Sequence, residues 1–553
     1  MRKYFKADPA SAGSVIILVG LIASPLFLVF LYSVHPNGEL DLLYPLRALL
    51  SPALRNAFLH SVMLGISVVI CSTVIAAPIA FLMSKTTFQS HKWLDVIFLI
   101  PFMTPPYISS MGWMMFMQKR GFLEQLCPVL SVLTNVFFSY GGMVLIMSLH
   151  IFPFIYLMMK NTLSAVGSQL EEAATIFGAS GFYRMKKIVL PLVFSGYSMG
   201  ALLVFIKTIS EFGTPATMGR KIGYAVLTTE IHRYVSTWPI SFEKATALSS
   251  LLLGTCLIIW YIQSAFARKR QYKLIGGKGQ KVQLKPVRGI WAVMSWGYLI
   301  LLLMMAIGVP YFSVIATSLM KLRGYGLAYG NFTLAHYAAI FEAGSAGRKA
   351  LVNSLVTGFA AATIAMCLGT WLAMLTVMYS KNKNVSRLID MMSLLPNTVP
   401  AIVLTIGLML FWNASWMPLR IYNTPWIVIL TYVVLFLPYT VQYVKADLIQ
   451  IDASLLHAGK VFGGRPFYVF RRILLPLMLP GMLSGWMMTF TISVRELVAS
   501  LMILPPNMKT TATYIFSEFE QGDISNGMAM AVVSVGVTTL VLIIINQFKQ
   551  VKE

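Results

Sequence analysis

The feature that most limits what this chain can fold into is a recurring apolar run of about 20 residues, first met from about Ser14 to Val34. A run of that length crosses a hydrocarbon core of ~30 Å as an α-helix, and a lipid-facing segment must satisfy its backbone hydrogen bonds internally. Further runs lie near 57–83, 94–117, 139–159, 188–209 and 245–266, then near 290–316, 351–379, 388–412, 426–444, 474–494 and 527–547. Long runs rather than short alternating strands favour helical spans over a barrel. The expectation is an all-α membrane protein with twelve predicted transmembrane helices, six in each half. Composition agrees: 57% of the 553 residues are hydrophobic and 11% charged, where a soluble chain carries roughly 25% charged residues.

The first run follows Arg2, Lys3 and Lys6, exceeds a signal-peptide core and lacks a small-residue cleavage pattern, so it reads as a retained anchor. Alternating the spans puts both termini and most of the 43 Lys and Arg on one side. By the positive-inside rule that side is cytoplasmic. The net charge of +24 thus reflects loops facing anionic lipid, and no basic face interleaved with aromatics suggests nucleic acid. The basic, Gly-containing stretch 268–289 reads as a cytoplasmic linker between a first domain, 1–267, and a second, 290–553.

The two halves are copies. A shift of 285 positions brings Gly178 onto Gly463, Phe182-Tyr183 onto Phe467-Tyr468, Lys186-Lys187 onto Arg471-Arg472 and Leu190-Pro191 onto Leu475-Pro476. Pro153, Lys160 and Glu211 meet Pro438, Lys445 and Glu496 at the same offset, and Leu99–Pro105 meets Leu394–Pro400 at 295. Since each half has an even number of spans, the copies insert in the same orientation. The polar segment Glu171–Pro191 and its echo Leu456–Pro476 stand out in a chain that is otherwise membrane. Ser168 and Glu171 form a capping-box pair, Asp452 is the corresponding cap, and Gly178 and Gly463 are stop signals. Each segment then passes into a membrane span with Pro191 or Pro476 in its first turn. A short helix rigidly continued by a span is a lever.

These residues resemble the EAA loop of permease subunits in bacterial ABC importers: Glu172, Ala173, Ala174, Gly178, Ile188, Leu190 and Pro191. The resemblance covers nearly the whole chain as two fused (type I) permease domains, most similar to ferric-iron and 2-aminoethylphosphonate permeases. Ser210–Gly219 and Val494–Pro506 resemble further family segments. The resemblance implies that Glu171, Glu172, Ala173, Ala174 and Gly178, with His457, Ala458, Gly459 and Gly463, form two coupling helices that dock on two cytoplasmic ATPase subunits. It also implies a periplasmic or surface substrate-binding protein and a multi-pass location in the bacterial inner membrane. The second copy departs from the pattern, with His457 for the Glu and Gly459 for the second Ala. Asymmetric docking is the implication: either the second contact tolerates a neutral or protonated His457, or the two ATPase contacts differ in strength.

No enzyme signature appears. Gly276–Lys281 lacks the spacing and the Ser/Thr of a phosphate-binding loop, and the seven histidines show no metal spacing. The chain is therefore expected to be a transport subunit without cofactor or metal, with ATP and Mg on its partners. The four cysteines read as packing residues. Lys207 and Glu211, four apart, and Arg495 and Glu496 at the matching end of the eleventh span, are candidates for an outer gate or a translocation path. The solute is expected to be small and polar or ionic, of the ferric, phosphonate or sugar-phosphate type. The alternative is an ion-gradient-driven transporter with two six-helix halves, which calls for a coupling carboxylate at mid-membrane.

Overall fold

The computed structural model describes residues 9–165, 174–269, 284–379 and 382–550. Among the described residues there is no strand, and the one β-type contact is an isolated bridge between Thr86 and Lys285. Among the described residues, nine helices are long and apolar enough to cross a membrane, or up to twelve if each of three bent pairs counts as one span. The longest, Pro52–Lys85, has 34 residues, a rise of about 51 Å that exceeds the hydrocarbon core.

Two expected spans are broken at close to a right angle, and a third, Gly181–Phe194 with Gly196–Ile209, is bent by 51°. Lys92–Met103 and Pro106–Met117 meet at 89°, and Lys383–Asn397 and Ala401–Trp412 at 109°. The cause lies in the repeated Leu99–Pro105 and Leu394–Pro400 stretches. A residue before proline is driven out of the helical region, and Thr104 and Pro105, each followed by proline, accordingly have ψ of 134° and 132°; Pro400, the N-cap of Ala401–Trp412, has ψ of 133°. The freed ends find partners: the Thr104 N–H donates to the carbonyls of Ile100 and Pro101, and the Pro105 carbonyl accepts from Ile108 and Ser109. Irregular backbone is tolerated at membrane depth only inside protein or against a wet cavity; Thr104 and Val399 are each 5% exposed.

The molecule divides into two compact units. One gathers Met1–Arg47, Ile231–Ser250 and Phe332–Glu553; the other gathers Ala48–Glu230 and Leu251–Asn331. In the first, Ala346–Met374, Pro425–Gln450 and Leu475–Val494 pack together, and Ser24–Val34 lies on Ala401–Trp412. In the second, Pro52–Lys85, Tyr140–Ala165 and Leu190–Ile209 pack together, and Val309–Ser318 lies on Pro106–Met117. Each unit thus takes its opening helix from the other half of the sequence. Glycine permits these approaches: a Cβ on Gly407 would stand 2.6 Å from the Pro25 carbonyl oxygen, and one on Gly112 would stand 2.8 Å from that of Pro310. Close backbone approach through small residues is how helices associate where lipid removes the hydrophobic drive.

The four cysteines are free, and burial fits packing for Cys256 only; Cys71 is half-buried, while Cys127 and Cys367 are exposed. Cys367 lies in an apolar helix, Ala346–Met374, whose outward face is apolar too. An apolar sequence alone does not tell a protein-facing position from an outward-facing one.

Candidate functional site

The repeated polar segments have the same backbone plan. Glu171, Glu172 and Ala173 lie outside the described residues, as does Ser168; the description resumes at Ala174. The Ala179 N–H donates to the Ala174 carbonyl at 2.9 Å around Gly178, whose φ is +78°. In the second copy the Gly464 N–H donates to the Gly459 carbonyl at 2.9 Å around Gly463, also at φ +78°. This is the six-to-one bond of a helix ended by a left-handed glycine. His457, Ala458 and Gly459 lie in the helix Ala453–Val461, and the Asp452 carboxylate caps it by accepting from the Ser454 N–H at 2.8 Å. The backbone N–H and hydroxyl of Ser454 hold that carboxyl below its ordinary range.

Beyond the corner each chain re-enters a helix in the same way. The Ser180 hydroxyl accepts from the Tyr183 N–H, and Gly181–Arg184 leads through a π-helical turn, Met185–Val189, into Leu190–Ile209. Pro466–Val469, the π-helical turn Phe470–Leu474 and Leu475–Val494 repeat the arrangement. A wide turn at the same register in both copies is a feature of the kind found at functional positions.

Large apolar side chains crown both corners. Ile176 and Phe177 are 83% and 89% exposed, and Val461 and Phe462 are 83% and 90% exposed. Phe182 and Phe467 add to the two patches. Sequence reasoning centred on the acidic residue and passed over this surface, although Phe-Gly recurs at both corners. An exposed apolar cluster of this kind marks an interaction surface, for protein or for membrane.

A second repeated contact stands behind the segments. Lys160 Nζ lies 2.5 Å from the Asp95 carboxylate, which also accepts from the Tyr156 hydroxyl. Lys445 Nζ lies 2.5 Å from the Asp390 carboxylate. Lys160 was legible as a match for Lys445, but their acidic partners follow the other offset, 295, and so escaped the comparison. Each pair joins the first helix of a bent span to the end of the helix that precedes a repeated polar segment. Beside the first segment the linker end is pinned: the Lys285 N–H donates to the Lys85 carbonyl at 3.0 Å, and the Thr87 N–H to the Lys285 carbonyl at 3.2 Å. Lys85, Arg184 and Lys285 line one small cleft there.

Of the gate candidates, Glu211 and Glu496 occupy equivalent positions at the 285-residue offset, while Lys207 corresponds to Ile492 and Arg495 to Ser210. Lys207 is in the last turn of Leu190–Ile209, and both oxygens of the Glu211 carboxylate accept from the Thr214 N–H at 3.1 Å. Arg495 ends the helix Leu475–Val494 and donates through Nε to the Thr491 carbonyl at 3.0 Å, while Glu496 accepts from the Ala499 N–H at 3.1 Å. Each glutamate therefore caps the short helical stretch that follows it.

Comparison with known proteins agrees with this duplicated plan. The model of the family described as the binding-protein-dependent transport system inner membrane component matches twice, at residues 73–272 and 365–550. The chain is 22% identical to the ferric transport system permease protein FbpB of Actinobacillus pleuropneumoniae, covering 96% of this chain and 77% of that one. It is 25% identical to the Fe(3+)-transport system permease protein FbpB 2 of Haemophilus influenzae, covering 91% of each. A stretch of 230 residues, 42% of this chain, is 30% identical to 85% of a putative 2-aminoethylphosphonate transport system permease protein, PhnV, of Salmonella typhi. The chain belongs to the family of binding-protein-dependent transport system inner membrane components, as a fusion of two such permease domains.

Proposed function

We propose that this chain is the membrane subunit of an ATP-driven importer, passing a small polar or ionic solute from a binding protein to the cytoplasm by alternating access. The solute class suggested by the relatives' names is ferric iron or a phosphonate; a sugar phosphate is the further candidate from the sequence. The observation that carries the reading is the pair of matching corners, each ending in an exposed Phe before a left-handed glycine. Two ATPase subunits cover these corners in the proposal. Their closure moves Leu190–Ile209 and Leu475–Val494 through the π-helical turns, and the ion pairs Asp95–Lys160 and Asp390–Lys445 carry the displacement to the bent spans. The chain performs no covalent chemistry, and ATP and Mg bind to the partners. Both termini and both corners face the cytoplasm, in keeping with the placement of Lys and Arg.

Reconstitution into vesicles with the ATPase and the binding protein tests the proposal. Solute uptake is expected to follow ATP and to persist when a protonophore collapses the proton gradient. Uptake that needs no ATPase but stops with the gradient contradicts it and favours the ion-coupled alternative.

A further inference from the structure

A cavity of about 660 Å³ opens in the unit containing the first coupling segment. It lies at the Tyr140 end of the helix Tyr140–Ala165, whose other end leads to that segment. The 26 residues of this helix separate the two by about 39 Å. The cavity and the coupling corner are therefore on opposite faces of the membrane.

The lining is cationic and rich in donors. Lys119 reaches it from the chain just after Pro106–Met117, and Lys221 from just after the π-helical turn Pro215–Gly219. Gln118 and Asn135 add side-chain amides, and the lining holds no carboxylate. Tyr140 and Tyr224 form a wall rather than donors, since their hydroxyls already donate to Ser67 Oγ at 2.8 Å and to the His60 carbonyl at 3.1 Å. The Lys221 ammonium sits 3.7 Å from the centre of the Phe138 ring, a contact that holds the charge at the rim.

One polar group in this lining is left without a partner. Thr134 is 4% exposed, and its Oγ1 is buried with no hydrogen bond. An orphaned hydroxyl costs about 1–3 kcal/mol, and two ammonium groups at one cavity add mutual repulsion. A tetrahedral oxyanion offers negative charge and several acceptor oxygens, and so relieves both costs through charge-assisted bonds. A cation adds to the repulsion between the ammonium groups, and a neutral sugar leaves the charge uncompensated. Burial, with the charge of Arg323 second, pushes the Lys221 ammonium below its ordinary range; a bound anion reverses that push.

We propose that this cavity binds a small tetrahedral oxyanion of the phosphate class, held by Lys119, Lys221 and the Thr134 hydroxyl. Whether the anion is also cargo rests on the importer reading; binding itself does not. The test is equilibrium dialysis of radiolabelled inorganic phosphate against the purified full chain in detergent, with thermal melting in parallel. Saturable binding is expected, weakened roughly tenfold or more in Lys119→Gln and in Lys221→Gln, and unchanged in Lys349→Gln. Thr134→Val is expected to melt higher than the wild type without phosphate, because the orphan is removed, and to gain less from added phosphate. Absence of saturable phosphate binding at millimolar concentration overturns the proposal, as does binding that all three lysine variants retain equally. ATP-driven uptake alongside absent phosphate binding removes the site and leaves the importer reading intact; phosphate binding in a chain whose uptake ignores ATP does the reverse.

Discussion

Lys160 Nζ and the Asp95 carboxylate stand 2.5 Å apart, with side chains 18% and 28% exposed. The second half repeats the pair in Lys445 and Asp390 at the same distance. Breaking a largely buried pair strands one charge, at a cost of about 3 kcal/mol, whereas removing both partners costs much less. Asp95→Asn is therefore expected to lower the melting temperature, and Asp95→Asn combined with Lys160→Met to recover most of the loss. The Tyr156 hydroxyl also donates to Asp95, and Val441 stands at the equivalent position in the second half. Asp390→Asn is accordingly the milder change. Equal melting of the two single variants contradicts that asymmetry.

The corner side chains are predicted to act on association and not on stability. Ile176→Ser with Phe177→Ser removes exposed groups and leaves the melting temperature within a degree or two. Burial of two such side chains under a partner is worth about 3–5 kcal/mol. ATPase binding to the chain in detergent is expected to fall at least a hundredfold. Retained affinity in this variant shows that the patch is not the contact.

The all-helical class, the positions of the spans and the duplication were legible because apolar length and the 285-residue repeat survive in the sequence. The Gly178 and Gly463 stops and the Asp452 cap were legible too, since each rests on local backbone chemistry. The bends at Thr104-Pro105 and Val399-Pro400 were not, because proline in a membrane run fits a mild kink as well as a right angle. The packing of Gly112 on Pro310 and of Gly407 on Pro25 accompanies the bends, and it joins residues 198 and 382 positions apart. The Asp95–Lys160 and Asp390–Lys445 contacts were hidden for a related reason: their partners follow two different repeat offsets.

The two glycine corners should be separable from the apolar patches. Gly178 and Gly463 have φ of +78°, and a Cβ at either would meet nothing within 4 Å. Alanine there is strained only by its backbone, by about 1–2 kcal/mol. Gly178→Ala and Gly463→Ala are each expected to leave overall melting unchanged and to speed hydrogen exchange at Ala179 or Gly464 by roughly tenfold. No change in exchange argues against the left-handed stop.

His232 provides a pH test away from the coupling segments. Burial pushes its imidazole down to about 4, in the amphipathic helix Leu227–Ser236. The folded state therefore favours the neutral ring, while the unfolded chain takes up a proton near pH 6.5. Its contribution is full above about pH 6.5, falls as the pH drops towards 4 and is lost below that. Melting measured from pH 8 to 4 should fall more steeply in the wild type than in His232→Gln. Parallel curves contradict the assignment.

In the proposed importer the two repeated segments grip two ATPase subunits. Native mass spectrometry of the complex purified from its host measures this directly. The predicted mass is one chain with two ATPase copies; Glu172→Lys should strip ATPase from the complex, while His457→Glu should retain both copies. A chain that purifies alone while vesicle uptake remains intact, or a Glu172→Lys complex that keeps both copies at full occupancy, contradicts the account.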